Sequence, residues 1–178
     1  MIFALHEHPE GVGDGEAGSV TYDIGRNEAT RASALVEGPA LVWRFDGDGD
    51  GAGPVLAEEV AVGADWLVRC DRVDFPPGGI AYRHDHPGPG IRRLLVGELT
   101  IESGEGTHTH RAGDAWYEGA GYPVLATGSS TEETAFVRVL LLPSEWAGRR
   151  TIRYLDPADE ERPKLQRAEI LLEEPLRP

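Results

Sequence analysis

Short apolar runs alternate with turn residues along almost the whole chain. Runs rich in valine, leucine, isoleucine and aromatic residues are interrupted by glycine or proline at intervals of about ten residues. The runs are ALVWRF, VLAEEVAV, WLVRCDRVDF, IRRLLV, ELTIES, THTHRAGDAWYE, AFVRVLLL and TIRYL. Short strand-like runs at this spacing are typical of all-β sandwiches and barrels, whereas βαβ units alternate strands with longer helical runs. The pattern therefore predicts an all-β fold with few or no long helices.

Helical periodicity is confined to the C-terminal segment DPADEERPKLQRAEILLEE. Pro163 interrupts this segment, and proline inside a helix removes a hydrogen bond and clashes with the preceding turn. The part after Pro163 is equally compatible with an extended strand that packs on the same fold or on a neighbouring subunit.

The aspartate-rich segment DGDGDGAG needs a separate test for calcium binding. It places Asp46, Asp48 and Asp50 like the first ligands of an EF-hand loop. The twelfth position, which should hold a bidentate glutamate, is Ala57, and neither flank has helical character. We therefore expect a solvated hairpin loop here.

Composition and charge restrict the classes of function. The 178 residues are enough for one hydrophobic core and few for two. With 31 acidic against 17 basic residues the net charge is −14, which disfavours binding to nucleic acids and to anionic membranes. A single cysteine, Cys70, excludes an internal disulfide, and its strand-like surroundings predict a buried structural thiol. No apolar run is long enough for a membrane span and the start lacks the features of a signal peptide, so we expect a cytoplasmic protein.

The tripeptide His84-Asp85-His86 carries the strongest chemical signal in the chain. Because side chains alternate between the two faces of a strand, both imidazoles of an H-x-H pair point to the same face. Two neutral imidazoles on one face are half of a transition-metal site, which needs further ligands from another strand. Two glycines precede the pair, a PGPG turn follows it, and an apolar strand then ends at Gly97.

This segment resembles the first sequence motif of the cupin superfamily, G-x5-H-x-H-x(3,4)-E-x6-G, between Gly78 or Gly79 and Gly97. Residues 113–124, GDAWYEGAGYPV, resemble the second motif, G-x5-P-x-G-x2-H-x3-N. The resemblance covers residues 73–143. It implies one small cupin domain over residues 1–178, a jelly-roll β-barrel with its core at about residues 60–143 and with N-terminal strands and a C-terminal extension packed on it. A homodimer and a site inside the barrel mouth are also implied.

Two of the four usual ligand positions differ from the family. Cupin metal sites usually take two histidines and a glutamate from the first motif and a histidine from the second. His84 and His86 occupy the first two positions, but the glutamate position holds Gly90 and the second-motif histidine position holds Val124. Since a tight site needs three or four protein ligands, the two histidines alone are expected to bind a metal weakly.

Strand alternation indicates which polar residues share the interior with the two histidines. Tyr82 is expected on their face of the strand. On the next strand, Arg92 has the inward parity of the missing glutamate, whereas Arg93 points outward. In the second motif the inward positions are Trp116 and Glu118, and a core-facing carboxylate is costly unless it is ion-paired or bound to a metal.

Two interpretations of these residues are open. In the first, His84, His86 and Glu118 form a two-histidine, one-carboxylate site for a divalent metal such as Fe, Mn, Ni or Zn. The residues expected to bind substrate beside this metal are Tyr82, Arg92, Trp116 and Tyr122, which lies two residues before Val124. In the second interpretation, Arg92 and Glu118 pair with each other inside the barrel and the histidines bond to them.

These interpretations predict different functions. The first predicts a barrel that binds a divalent metal and a small anionic or oxygenated organic molecule, with oxygenase or isomerase chemistry if the protein is an enzyme. The alternative is a non-catalytic, metal-free cupin that binds a small molecule as a sensor or storage module. A third is a barrel whose dimer surface carries the function. A second H-x-H pair, His108 and His110, is predicted to be structural or exposed, because the corresponding strand of the family carries no ligands.

Overall fold

The computed structural model describes residues 1–13, 18–31, 35–46 and 53–176, and the regular structure in them is almost entirely β-strand. The strands are β1 (Ile2–His8), β2 (Gly11–Val12), β3 (Val20–Asp23), β4 (Glu28–Thr30), β5 (Val36–Glu37), β6 (Ala40–Phe45), β7 (Leu56–Glu59), β8 (Trp66–Phe75), β9 (Ile80–Asp85), β10 (Gly90–Val96), β11 (Glu98–Ser103), β12 (Gly106–Arg111), β13 (Ala115–Glu118), β14 (Val124–Gly128), β15 (Thr134–Pro143), β16 (Arg153–Tyr154) and β17 (Arg167–Pro175). Two short 3-10 helices cover Ser144–Trp146 and Pro157–Glu161. The predicted all-β fold class is confirmed.

Strands β8 to β15 form a jelly-roll barrel from two facing sheets. The strand order is β13-β10-β15-β8-β17 in one sheet, called here the β8 sheet, and β12-β11-β14-β9-β16 in the other, called the β9 sheet. Strands β8 to β11 therefore cross from sheet to sheet in turn, and β13, β14 and β15 do so again. This is the double Greek-key connectivity of a jelly roll, as the resemblance to cupins implies.

A motif glycine makes one of these crossings possible. Gly97 joins β10 to β11 with a φ of 78°, a backbone conformation that side chains with a Cβ rarely adopt. A Cβ at this position would lie 2.3 Å from the carbonyl oxygen of Glu133. The glycine that closes the first motif is thus required both by conformation and by space.

Strand β9 contains a bulge that changes which of its side chains face the interior. Val124 of β14 pairs with His84, and Ala126 pairs with Ala81. Over this stretch β14 advances by two residues while β9 advances by three, so β9 has one extra residue. Ala81 and His84 therefore both face inward, although strict alternation would place them on opposite faces.

The N-terminal strands cover the outer face of the β8 sheet. They form a third antiparallel sheet in the order β4-β3-β6-β1-β7. Phe3 and Trp43 of this sheet join Cys70 and Val139 of the β8 sheet in one buried apolar cluster. The indole Nε1 of Trp43 donates to the carbonyl oxygen of Ile91 at 3.2 Å. Cys70 is fully buried and reduced, in agreement with a structural thiol.

The C-terminal segment is an extended strand of the same barrel. Strand β17 pairs antiparallel with β8 and forms an edge of the β8 sheet, so residues 167–175 form a strand and not a helix. The described part of the chain contains no helix that is both long and apolar enough to cross a membrane. Asp48 and Asp50 of the aspartate-rich loop lie outside the described residues.

Candidate functional site

A cavity of about 390 Å³ lies between the two sheets of the jelly roll. Along β8 the inward-facing residues change from Asp71 to Val73 and Phe75, so one end of the cavity is polar and the other apolar. The apolar end is lined by Val73, Phe75, Leu99, Ile101, Val124 and Phe136. The polar end is lined by buried charged and imidazole side chains: Asp71, His84, His86, Arg92, Glu118 and Arg138.

Four cavity residues form a row across the β8 sheet. In the strand register Asp71 of β8 is opposite Arg138 of β15, and Arg138 is opposite Arg92 of β10. Arg92 is in turn opposite Trp116 of β13. Like charges directly opposite each other on neighbouring strands are unfavourable, so two adjacent arginines require negative charge nearby. The fold supplies a carboxylate beside each of them.

Arg138 is bound by Asp71 and by two residues of the β9 side of the barrel. Its Nε and Nη2 atoms donate to Asp71 Oδ2 at 3.1 and 2.9 Å. Nη2 also donates to the Thr151 hydroxyl at 3.3 Å, and Nη1 lies 3.2 Å from Nε2 of His86. The second carboxylate oxygen of Asp71, Oδ1, is buried without a hydrogen-bond partner among the described residues.

Arg92 is paired with Glu118 and is almost completely buried. Its Nη2 lies 2.7 Å from Glu118 Oε2, but no N–H of Nη2 has hydrogen-bond alignment, so this contact is an ion pair only. Nη1 donates to the carbonyl oxygen of Gly90 at 2.6 Å. The other carboxylate oxygen of Glu118 accepts from Nε1 of Trp116 at 2.9 Å. Burial lowers the pKa of Arg92 to about 10, an effect that Glu118 opposes, so Arg92 stays cationic near neutral pH.

The two histidines are held in the same tautomer by backbone carbonyl groups. Nδ1 of His84 donates to the carbonyl oxygen of Tyr82 at 2.6 Å, and Nδ1 of His86 donates to that of Thr151 at 3.1 Å. Because a carbonyl oxygen only accepts, the proton of each neutral ring is on Nδ1 and the lone pair is on Nε2. Burial lowers the pKa of both rings, and the neighbouring Arg138 lowers that of His86 further. Both imidazoles are therefore neutral at pH 7.

The side chains present do not fit a metal bound by His84, His86 and Glu118. The lone pair of His86 Nε2 is directed at Arg138, and both oxygens of Glu118 are engaged by Trp116 and Arg92. A divalent cation here would also be repelled by two guanidinium groups. Over the described residues, no three His, Cys, Asp or Glu side chains are arranged to hold a metal ion. The Arg92–Glu118 pair of the second interpretation is present, but the histidines bond to backbone carbonyls and Arg138 instead.

The two positions that depart from the family are filled by packing. A Cβ at Gly90 would lie 2.5 Å from a methyl carbon of Leu140 and 3.0 Å from Nη1 of Arg92. It would also lie 2.9 Å from the carbonyl oxygen of Val139, so a side chain at residue 90 needs a shift of its neighbours. Val124 is buried on the inner face of β14, opposite His84 in the strand register.

Neither predicted tyrosine lines the cavity. The bulge in β9 turns Tyr82 away from the face of His84, and its ring lies 4.8 Å below the guanidinium of Arg162. The alternation argument is therefore wrong for Tyr82. Tyr122 lies in the turn between β13 and β14, and its hydroxyl donates to the Ser103 hydroxyl at 3.2 Å. The other two predicted substrate-binding residues, Arg92 and Trp116, do line the cavity.

The second H-x-H pair has a packing role in the structure. The ring of His110 stacks on Trp116 with centroids 4.5 Å apart and an interplanar angle of 18°. Desolvation lowers the pKa of His110. His108 is exposed on β12. This agrees with the structural or exposed role predicted for the pair.

Sequence reasoning missed Asp71, Arg138 and Thr151. A signal was present for Arg138, because it is the one charged residue in the apolar run AFVRVLLL of a buried strand. Asp71 has no comparable signal, since its strand carries four charged residues. Thr151 begins the run TIRYL, but no pattern in that run marks it as a cavity residue, and only the tertiary structure brings it to the cavity.

Residues 148–152 and the first half of β17 line one side of the cavity and are called here the cover. Buried Arg69 connects the parts of this cover. It forms an ion pair with Glu173 of β17, and its Nη1 and Nη2 donate to the carbonyl oxygens of Arg149 and Trp146, both at 2.7 Å. Glu173 also accepts from the backbone N–H of Gly148 at 2.8 Å. We refer to Arg69, Glu173 and the segment 146–149 as the latch.

Comparisons with known proteins find similarity only among solved structures: no family model and no curated protein matches the chain. A cupin domain from Bordetella pertussis Tohama I is 26% identical, with 42% of this chain and 81% of that chain covered and a TM-score of 0.37. The polyketide cyclase RemF from Streptomyces resistomycificus is 20% identical, with 53% and 63% covered and a TM-score of 0.42. The match thus spans less than two thirds of the cyclase. A cupin protein from Bacteroides fragilis is 15% identical, with 48% and 83% covered and a TM-score of 0.37.

The strand connectivity and the positions of the two motifs agree with the resemblance to the cupin superfamily. Strands β8 to β15 have the jelly-roll order, the first cupin motif runs from the start of β9 to the turn after β10, and the second runs through β13 to the start of β14. Both motifs place their inward-facing residues around the cavity. The chain thus has the jelly-roll fold that its resemblance to the cupin superfamily implies.

Proposed function

We propose that the barrel binds a small organic anion with an apolar body, and that it does so without a metal. The observation that carries this proposal is the pair of neighbouring guanidinium groups, Arg92 and Arg138, at one end of a cavity whose other end is apolar. A carboxylate close to two guanidinium groups receives charge-assisted hydrogen bonds and reduces their mutual repulsion.

Arg138 is the arginine better placed to contact a ligand directly. A guanidinium carries five N–H donors, and Asp71, Thr151 and His86 together take four of those of Arg138. One N–H of Nη1 is left for a ligand, as judged from the described residues. Arg92 is more deeply buried than Arg138, so we assign it a contribution through charge rather than through direct contact.

The charge of the cavity wall also favours an anion. Among the described residues six cationic side chains line the cavity, against the two carboxylates of Asp71 and Glu118. Two of the six, Arg69 and Arg150, are paired with glutamates outside the cavity lining. The lining still has an excess of positive charge in a protein whose net charge is −14. This local excess of positive charge attracts anionic ligands to the cavity.

The apolar end of the cavity sets the second requirement on the ligand. A cavity of about 390 Å³ is within the range of small-molecule sites and accommodates an aromatic or branched aliphatic group. Trp116 and Phe136 pack edge to face in its wall, with ring centroids 5.4 Å apart. An apolar group bound there would be withdrawn from water, which supplies affinity in addition to the charged contact.

Isothermal titration calorimetry with matched acids and amides tests the proposal. The probes are phenylacetate and 3-phenylpropionate, compared with phenylacetamide and 3-phenylpropanamide. We expect each acid to bind at least about tenfold more tightly than its amide, because the charge-assisted hydrogen bond is lost in the amide. Treatment with EDTA should leave the affinity unchanged. Binding of acids and amides with equal affinity, or loss of acid binding after EDTA treatment, would reject the proposal.

A charge-neutral double variant assigns the binding to the cavity. Arg138→Met combined with Asp71→Asn removes one arginine and its own carboxylate, so no buried charge is left unpaired. The preference for acids should then disappear. The control is Arg72→Met with Asp74→Asn, which removes an ion pair of the same strand on partly exposed positions. This control should bind the acids like the unmodified protein.

We also propose that the protein is a homodimer in the cytoplasm. An isomerase acting on the bound anion stays a prediction, and so does an oxygenase. The non-catalytic sensor or storage role is equally compatible with an anion-binding barrel.

A further inference from the structure

We propose that the ligand carries a hydroxyl group next to its carboxylate, and that this hydroxyl donates a hydrogen bond to Nε2 of His84. This inference rests on the proposed binding of an organic anion and names the chemical class, an apolar 2-hydroxy acid. It starts from the difference between the two neighbouring histidines of the cavity.

His86 has no capacity left for a ligand. Its Nδ1 donates to the carbonyl oxygen of Thr151 at 3.1 Å, and its Nε2 accepts from Nη1 of Arg138 at 3.2 Å. Both ring nitrogens are thus used within the protein. His86 acts as a positioning residue that fixes the orientation of the Arg138 guanidinium.

His84 keeps one acceptor for a ligand. Its Nδ1 donates to the carbonyl oxygen of Tyr82 at 2.6 Å, which directs the proton to Nδ1 and leaves a lone pair on Nε2. Within the described part of the chain, Nε2 has no hydrogen-bond partner, although the residue is only 4% exposed and its ring lines the cavity. Nε2 is not one of the fully buried unpaired atoms, so it is open to the cavity, where it can accept a hydrogen bond from a donor on the molecule that fills it.

The position of this acceptor fixes where the donor lies on the ligand. The rings of His84 and His86 have centroids 5.0 Å apart, and Arg138 is hydrogen-bonded to the second ring. A ligand whose carboxylate meets Arg138 must therefore carry its donor on a nearby atom in order to reach His84. A hydroxyl on the carbon next to the carboxylate has this spacing.

The electrostatic surroundings favour a hydroxyl over an ammonium group as this donor. Burial disfavours a positive charge at the His84 ring most strongly; Glu118 favours such a charge, and Arg138 and Arg92 oppose it. An ammonium group on the ligand would meet the same cost of desolvation and the same two arginines. A neutral hydroxyl donates to Nε2 without adding charge.

Matched pairs of acids test the inference by calorimetry. The probes are 3-phenyllactate, 3-phenylpropionate and phenylalanine, which carry a hydroxyl, a hydrogen and an ammonium group at the same carbon. We expect 3-phenyllactate to bind about tenfold more tightly than 3-phenylpropionate, and phenylalanine to bind no better than 3-phenylpropionate. If 3-phenylpropionate binds and the hydroxyl gives no gain, this inference fails while the proposed function stands. If none of the acids binds, the proposed function itself fails.

Substitutions at residue 84 assign the preference to the imidazole. In His84→Leu, 3-phenyllactate and 3-phenylpropionate should bind with about equal affinity. His84→Gln, which retains an acceptor, should keep part of the preference for 3-phenyllactate. The control is His108→Leu on the exposed face of β12, which should keep the full preference. An unchanged preference in His84→Leu would overturn the inference.

A readout on the unmodified protein is independent of how well the variants fold. In protein with ¹⁵N-labelled histidine, 3-phenyllactate should shift the Nε2 resonance of His84, and 3-phenylpropionate should leave it nearly unchanged. Equal shifts with both acids would contradict a hydrogen bond from the hydroxyl.

Discussion

At the scale of single residues, the cavity depends on charges that are buried in pairs. Arg92 is 1% exposed and has Glu118 as its counter-charge, and Glu118 is in turn fixed by the indole of Trp116. Taking two charges out of water is costly, and only their mutual attraction offsets that cost. Removing one member of the pair alone is therefore expected to destabilise the barrel strongly, because the other member is left as an unpaired buried charge.

The variant Glu118→Gln separates charge from shape. Glutamine can still accept the Trp116 hydrogen bond, but Arg92 loses its counter-charge inside the barrel. We expect the free energy of unfolding, measured by urea denaturation, to fall by about 3–5 kcal/mol. Adding Arg92→Met to this variant should recover part of the loss, because the unpaired charge is then removed as well.

Glu98→Gln is the matched control for this prediction. Glu98 is paired with Arg111 at 3.1 Å, but the side chains are 41% and 70% exposed, respectively. Breaking such a pair is expected to cost less than about 1 kcal/mol. Similar losses in Glu118→Gln and Glu98→Gln would mean that burial does not strengthen the Arg92–Glu118 pair.

The sequence predicts the orientation of single side chains in the site only where the strand is regular. Strand alternation places Arg92 and Glu118 inside correctly, because β10 and β13 are regular in that region. It fails for Tyr82, because one extra residue in β9 reverses the alternation after Ala81. A bulge of this kind depends on pairing with β14, which no local pattern in β9 reveals.

At the scale of secondary-structure elements, the latch connects the segments that form the cover of the cavity. Strand β17 is an edge strand, and a 3-10 turn and residues 148–152 lie beside it. Arg69 joins these elements through one ion pair and two hydrogen bonds to carbonyl oxygens. Elements at an edge open more easily than central strands, so a ligand is expected to enter here.

The variant Glu173→Gln should loosen this cover without unfolding the barrel. It leaves buried Arg69 without its counter-charge and places an amide group against the guanidinium. We expect faster hydrogen–deuterium exchange in residues 146–152 and in β17, measured by mass spectrometry, with unchanged exchange in the central strand β15. Glu169→Gln, at an exposed position of the same strand, is the control and should exchange like the unmodified protein. Unchanged exchange in Glu173→Gln would show that the latch does not hold the cover.

The elements themselves were predictable in part. The spacing of glycine and proline, together with the two motifs, predicts the barrel strands. This succeeds because the turns between these strands are formed by local residues such as Gly97. The sequence alone leaves the C-terminal segment open between a helix and a strand. Its apolar residues fit a helix or a strand equally well, and only pairing with β8, more than ninety residues earlier in the chain, selects the strand.

At the scale of the whole molecule, buried histidines link stability to pH. Burial lowers the pKa of His84, His86 and His110, so in the folded state these rings take up protons at a lower pH than in the unfolded state. Below the ordinary histidine pKa of about 6.5, the unfolded chain therefore binds more protons than the folded one. The stabilisation is complete above that value and is lost as the pH falls.

We expect the free energy of unfolding to decrease as the pH is lowered below about 6.5, by up to about 1.4 kcal/mol per pH unit for each histidine. Urea denaturation over a series of pH values measures this slope. His86→Gln should reduce the slope, because the most strongly shifted ring is removed. His108→Gln, at an exposed position, should leave it unchanged. A slope that is the same in His86→Gln as in the unmodified protein would contradict this assignment.

The close packing at Gly90 has a consequence for how this barrel can change during evolution. The usual glutamate at residue 90 would collide with Leu140 and with the carbonyl oxygen of Val139, and its Cβ would also press on Arg92. Removing Arg92 alone would leave Glu118 without its ion-pair partner. Residues 90, 92 and 118 are therefore coupled, and we expect a change toward the family's usual ligand set to require substitutions at several of these positions together.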